Sequence, residues 1–104
     1  MKVKLPSKGT YKCVLLTSGN DIVFRSGPGN FHSEVMRNAK THEPELESYR
    51  CNGGGRMTIT DDKVVIWGYS VDYGKMDYNT VNNMLSEYCK ENGLQFENRS
   101  GQGY

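Results

Sequence analysis

A chain of 104 residues is long enough for one α/β domain around a single core and too short for two. Thirteen Lys and Arg against twelve Asp and Glu leave a net charge of +1, which gives no footprint for non-specific nucleic-acid binding. No stretch approaches the ~18 apolar residues a membrane span needs, and the start MKVKLPSKG lacks the apolar core of a signal peptide.

Cysteine usage adds a compartment. Cys13, Cys51 and Cys89 are odd in number, far apart and without a CxxC pair, which argues against a disulfide framework and against a Cys-based zinc site. Free buried thiols in a reducing compartment follow, and the expectation is a cytosolic protein. Lys2, Lys4, Lys8 and Lys12 cluster near the N-terminus and read as solvated charge around a strand, with one of them available to a local anionic site.

In chain order, Tyr11–Leu16 and Ile22–Phe24 are β-prone runs, and Thr17–Asp21 between them carries turn chemistry, so the pair reads as an antiparallel hairpin. Ser26-Gly27-Pro28-Gly29-Asn30 breaks the second strand. Asn30 is a good N-cap, with Phe31, Val35 and Ala39 at helical spacing on one face. Pro44 predicts a helix end not far past Lys40.

Arg50-Cys51 and a glycine run lead into Met57–Thr60, Asp61-Asp62 supplies a turn, and Lys63–Trp67 returns as a strand. The unbroken Val64–Trp67 run suits a central strand covered on both faces. Val81, Met84, Leu85 and Tyr88 set a second helix from about Asn79 to Asn92, stopped by Gly93, and Leu94–Glu97 forms the last strand. The order predicts an α/β fold of the α+β type, one mixed sheet of about six strands packed against two helices in a single domain over residues 1–104.

Three places can carry chemistry. Gly27-Pro28-Gly29-Asn30-Phe31-His32 puts a glycine loop at the mouth of a helix, where unpaired N–H groups and the dipole favour an anion. His32 in that first turn is biased toward the neutral imidazole, whose lone pair a nucleophile or general base toward phosphorus requires. Taken alone, a histidine near a helix start is more often a surface or capping residue.

Gly53-Gly54-Gly55-Arg56 allows close backbone approach or positive φ before a strand, and Arg56 can clamp a phosphoryl group with its planar fork of donors. The plainer reading is a bulge followed by a solvated arginine, and no GK[ST] follows to make a P-loop. Gly68-Tyr69-Ser70-Val71-Asp72-Tyr73-Gly74 closes a strand, and the Ser70 hydroxyl with adjacent N–H groups can bind phosphate oxygens. The alternative is an ordinary turn in which Ser70 bonds its own backbone and the tyrosines pack. GYS is not the GxSxG elbow of a serine hydrolase.

Together these segments are more specific. GGGR, a strand hairpin and WGYSVDYG resemble the GGGR…GYSxxYG signature of the phosphohistidine phosphatase/janus family. Tyr11–Leu16 resembles that family's first strand, Phe31-His32-Ser33 its aromatic-His-small step, and Gly103-Tyr104 its terminal Gly-Tyr. The resemblance implies metal-independent removal of phosphate from phosphohistidine in proteins, with no cofactor and no metal site. It implies that His32 is catalytic, that Lys12 and Arg56 are active-site cations, and that Ser70 contacts phosphate. Backbone amides around Phe31, His32, Ser33, Ser70 and Asp72 complete an anion cradle by the same resemblance. Asp72 stands where a relative in that family has alanine, so a carboxylate pointing inward would oppose phosphate.

Two functions follow from different classes. One is an enzyme acting on phosphohistidine-bearing proteins, and on other N-phosphorylated side chains, through His32 as nucleophile or general base. The other is a module of low or no activity that recognises phosphorylated partners. His42, in the segment broken by Pro44, reads as a solvent-exposed residue, and Asp61-Asp62 as a turn rather than a metal site. Tyr69, Tyr73 and Tyr78 read as packing rather than base stacking, since no basic stripe surrounds them. A monomer is the default, in contact with neither nucleic acid nor membrane.

Overall fold

The computed structural model describes residues 2–100; the tail after Ser100, with the Gly103-Tyr104 pair, lies outside the described residues. Among these, β1 (Gly9–Ser18) and β2 (Asp21–Gly27) form the hairpin, followed by α1 (His32–His42) and a single 3-10 turn at Pro44–Leu46. Then come β3 (Arg50–Ile59), β4 (Lys63–Trp67), α2 (Tyr78–Glu91) and β5 (Gln95–Arg99). The strands make one sheet in the order β2-β1-β3-β4-β5, antiparallel except for the parallel β4–β5 pair. This is the mixed sheet with two helices that the sequence predicts, with five strands instead of about six. The N-terminal segment reaches β2 only as an isolated bridge, Val3 to Phe24.

The helices lie on opposite faces. Cys13 and Leu15 of β1 join Met57, Val64 and Ile66 against Val81, Leu85 and Cys89 of α2. Val14 and Leu16, one residue out of phase, pack with Val23 against Val35 of α1 and Leu46. Successive strand residues face opposite ways, so a strand with both faces covered must be apolar at every position. Cys13–Leu16 of β1 meets that condition and is wholly buried.

The apolar run in β4 does not. Val64 and Ile66 are fully buried, whereas Val65 and Trp67 are half-exposed, because α1 covers β1 and β2 and leaves that side of β4 open. Thiol burial is also uneven: Cys13 and Cys89 are buried and Cys51 is intermediate, all three free.

The start of α1 differs from expectation. Phe31, not Asn30, is the N-cap of α1, and it makes no side-chain cap bond and is 62% exposed, so only Val35 and Ala39 of the expected face turn inward, with Met36 beside them. At the other end the helix stops at His42, two residues past Lys40 as Pro44 predicts, and Pro44 opens the 3-10 turn after Glu43 closes the helix with its N–H on the Ala39 carbonyl. α2 begins at Tyr78, capped by Asp77, whose carboxylate accepts from the Thr80 amide at 2.9 Å. Its C-terminal end closes with Gly93 N–H on Lys90 and Leu94 N–H on Cys89. No helix among the described residues is long and apolar enough to cross a membrane.

Candidate functional site

β1 and β3 run antiparallel with Lys12 opposite Arg56, Cys13 opposite Gly55 and Val14 opposite Gly54. Directly opposed residues share a face. Lys12, Arg56 and Gly54 are therefore on the α1 side, together with Val14, and are aligned with the first turn of that helix. Between Val14 and Leu16 the register slips by one residue, so Asn52 and Gly53 oppose Leu15 as a bulge in β3. The glycine run, expected ahead of a strand, lies inside one.

His32, the first residue of α1, is 7% exposed and lies against Gly54. A Cβ at Gly54 would sit 2.6 Å from His32 Cδ2 and 2.9 Å from the Cys13 carbonyl, so only glycine leaves room for the ring. Gly53 serves the neighbouring loop: its φ is 108°, and a Cβ there would fall 2.5 Å from the Lys75 carbonyl. The third glycine supplies a partner. His32 Nε2 is 2.9 Å from the Gly55 carbonyl. A carbonyl only accepts, so Nε2 carries the hydrogen, and the lone pair of the neutral ring is on Nδ1.

The surroundings keep that lone pair bare. Burial lowers the His32 pKa below 6.5, and the positive charges of Lys12 and Arg56 lower it further; the Gly55 hydrogen bond and the negative charge of Asp72 act the other way. Three residues read from the sequence, Lys12, Arg56 and Asp72, are thus within electrostatic reach of His32. Ser33 follows His32 in the first turn of α1. Phe31 uses its carbonyl to start the helix, accepting from Glu34 at 3.1 Å, and offers no side-chain cap, so the first amides of α1 are not taken up by one. Lys12 and Arg56 also line a cleft of about 160 Å³ with Gly27, Pro28 and Gly29, the loop that leads into α1.

The Ser70 loop is placed next to this group but contributes differently than expected. Ser70 is 2% exposed. Its N–H donates to the Gly74 carbonyl at 3.1 Å, Gly74 N–H returns to the Ser70 carbonyl at 2.8 Å, and Ser70 Oγ accepts from Tyr73 N–H at 3.1 Å. The expected Ser70 amide donor is therefore used inside the turn, and its side chain fixes the shape of Val71-Asp72-Tyr73. Gly54 N–H donates to the Gly74 carbonyl at 3.1 Å, which ties the loop to the strand carrying His32's neighbour. Ser33 and Tyr73 face one cavity of about 390 Å³ with Arg37 and Lys40 of α1.

Elsewhere the plain readings of His42 and of Asp61-Asp62 as a turn hold, and that of Tyr78 as packing does not. His42 is exposed, with Nδ1 donating to the Asn38 carbonyl, and Asp61-Asp62 is a bend between strands. Tyr78, read as packing, is 46% exposed. Among the described residues no group of three His, Cys, Asp or Glu side chains is placed to hold a metal ion. Two contributors escaped sequence reasoning, the Gly55 carbonyl that orients His32 and the Gly54 gap that admits it. The glycine run was the signal for both, but a run does not say which glycine does what.

The same segments place the chain among known proteins. A family model described as Janus/Ocnus matches residues 1–93. The chain belongs to the Janus/Ocnus family. Its match takes in the first strand, the His32 turn, GGGR and the Ser70 loop, so the whole candidate site of this Janus/Ocnus protein lies within the family's span. No curated protein matches the chain.

Proposed function

We propose that this Janus/Ocnus protein is a metal-independent phosphatase for phosphohistidine in proteins, acting as a cytosolic monomer with His32 as its catalytic residue. The observation that carries the reading is the orientation of the His32 ring. Nε2 is held by the Gly55 carbonyl, which leaves the Nδ1 lone pair for chemistry, with Lys12 and Arg56 in reach to neutralise a phosphoryl group.

The N–P bond of a phosphoramidate is intrinsically labile, so positioning and charge stabilisation supply most of what an enzyme must add. In the proposed reaction the phosphoryl oxygens meet Lys12, Arg56 and the amides of His32 and Ser33. The P–N bond breaks with its electron pair on nitrogen, and the phosphoryl group passes to water. His32 Nδ1 serves either by attacking phosphorus or by taking the proton of water, and rapid quenching separates these, since only attack leaves labelled enzyme.

The test is phosphate release from a phosphohistidine peptide in excess chelator. Steady turnover supports the reading. A chain that binds the peptide and releases no phosphate is a recognition module instead, with the Asp72 carboxylate as the feature opposing turnover.

A further inference from the structure

Asp72 is the one acidic residue in the loop of residues 68–74 tied beside the His32 ring, and nothing in the reaction described above uses it. Its position is built. The Ser70–Gly74 bonds and the Tyr73 amide on Ser70 Oγ hold Asp72 at the tip of a tight turn, and the Gly54-to-Gly74 bond anchors that turn beside the His32 ring. The carboxylate is exposed, yet close enough to His32 to favour its protonated form. A negative charge there opposes the phosphoryl oxygens, so it needs a positive counterpart on the ligand.

We propose that Asp72 forms a leaving-group subsite that receives the cationic nitrogen of an N-phosphorylated side chain and disfavours O-phosphate esters; this rests on the phosphatase reading above. A phosphoryl nitrogen ligand carries positive charge when protonated: on the second ring nitrogen of a phosphoimidazole, or on the nitrogen itself in a phosphoamine. The P–N electron pair then leaves on nitrogen, the proton stays with the departing imidazole or amine, and the new P–O bond forms to water. Asp72 stabilises that cation and raises the fraction of substrate in its reactive form. In an ester the departing oxygen gains negative charge toward the transition state, and the same carboxylate repels it.

The experiment compares kcat/KM for a phosphohistidine peptide and for p-nitrophenyl phosphate in wild type, Asp72→Asn and Asp72→Glu. The ratio of amidate to ester should fall about tenfold in Asp72→Asn, the scale of one charge–charge interaction at a partly solvated distance, and return toward wild type in Asp72→Glu. A ratio unchanged in Asp72→Asn, including a parallel rise on both substrates, overturns the subsite. If wild type releases phosphate from neither substrate, the phosphatase reading fails separately, and equilibrium affinity decides the subsite. Tighter binding of the phosphohistidine peptide than of the matching phosphoserine peptide, lost in Asp72→Asn, supports it; equal affinities overturn it.

Discussion

His32 joins two constraints that are usually found apart, a ring buried enough to stay neutral and a fixed donor that decides which nitrogen is basic. Gly54 is what allows both. Placing a methyl group there at 2.6 Å from Cδ2 must displace the ring, since the other close neighbour is the Cys13 backbone, and the Nε2 bond to Gly55 goes with it. Gly54→Ala is expected to lower kcat/KM on the phosphohistidine peptide roughly 10²-fold through misplacement alone. Circular dichroism and the His32 ring resonances will show a folded protein with a moved ring.

The pH dependence follows from the same burial. In the proposed reaction neutral His32 is the active form, and its pKa lies below 6.5, so activity should persist as pH falls through 6.5 and be lost only as it passes the lowered folded-state pKa. The groups facing it are Lys12 and Arg56, which push the limb down, and Asp72 and the Gly55 carbonyl, which pull it up. Asp72→Asn should move the limb lower still. For stability, the unfolded chain binds a proton at His32 before the folded one does. The contribution is therefore full above 6.5 and lost as pH falls through the folded value.

At the scale of elements, α1 holds His32 at one end and a buried ion pair near the other. Arg25 of β2 is 5% exposed and donates to Glu43 through Nε at 2.7 Å and Nη2 at 2.9 Å, while Lys4 reaches the same carboxylate at 3.0 Å. Arg25 chiefly, then Lys4, hold the Glu43 carboxyl down at about 2, so the pair stabilises the fold above 4.5 and its contribution is lost as pH falls through 2. Glu43→Gln leaves the buried Arg25 charge without its anion and should cost about 3 kcal/mol, read from urea unfolding at pH 7.

This clamp also fixes the end of α1 that Pro44 announces in the sequence. Pro44 was a correct stop, but the reach of Glu43 across to Arg25, 18 residues away, holds the last turn and is not a local signal. At the other end Asn30 has the right chemistry for a cap, yet the chain enters the helix one residue later. α2 was legible to within a residue because its start, face and stop are all local: the Asp77 cap, Val81 with Leu85, and Gly93.

Across the whole molecule, the pieces of the site come from three places that meet only when the sheet forms: Lys12 on β1, Arg56 on β3 and His32 on α1. The residue types were legible one segment at a time. Which face they share was not, since it depends on the Lys12–Arg56 register and on the bulge at Asn52-Gly53. The same limit accounts for β4, whose apolar run promised two covered faces while α1 lies over β1 and β2 and leaves one side of β4 open.

The sheet edges bear on assembly. The N-terminal segment bonds β2 at Phe24 alone, with Phe24 N–H on the Lys2 carbonyl and Lys4 N–H on the Phe24 carbonyl, and β5 carries Glu97 paired with Lys63 and Arg99. A β2 edge interrupted by that bridge and a charged β5 edge both oppose strand addition. Light scattering should therefore give one monomer mass that does not change with concentration, and a dimer would refute this.

The most direct test of the account is His32→Ala, measured for affinity and for turnover on the same phosphohistidine peptide. The account predicts binding within about threefold of wild type, because the cations and amides that hold the phosphoryl group remain, and turnover lowered by ~10³-fold or more. Turnover by His32→Ala near the wild-type rate would contradict it, and would move the chemistry of this site away from the histidine.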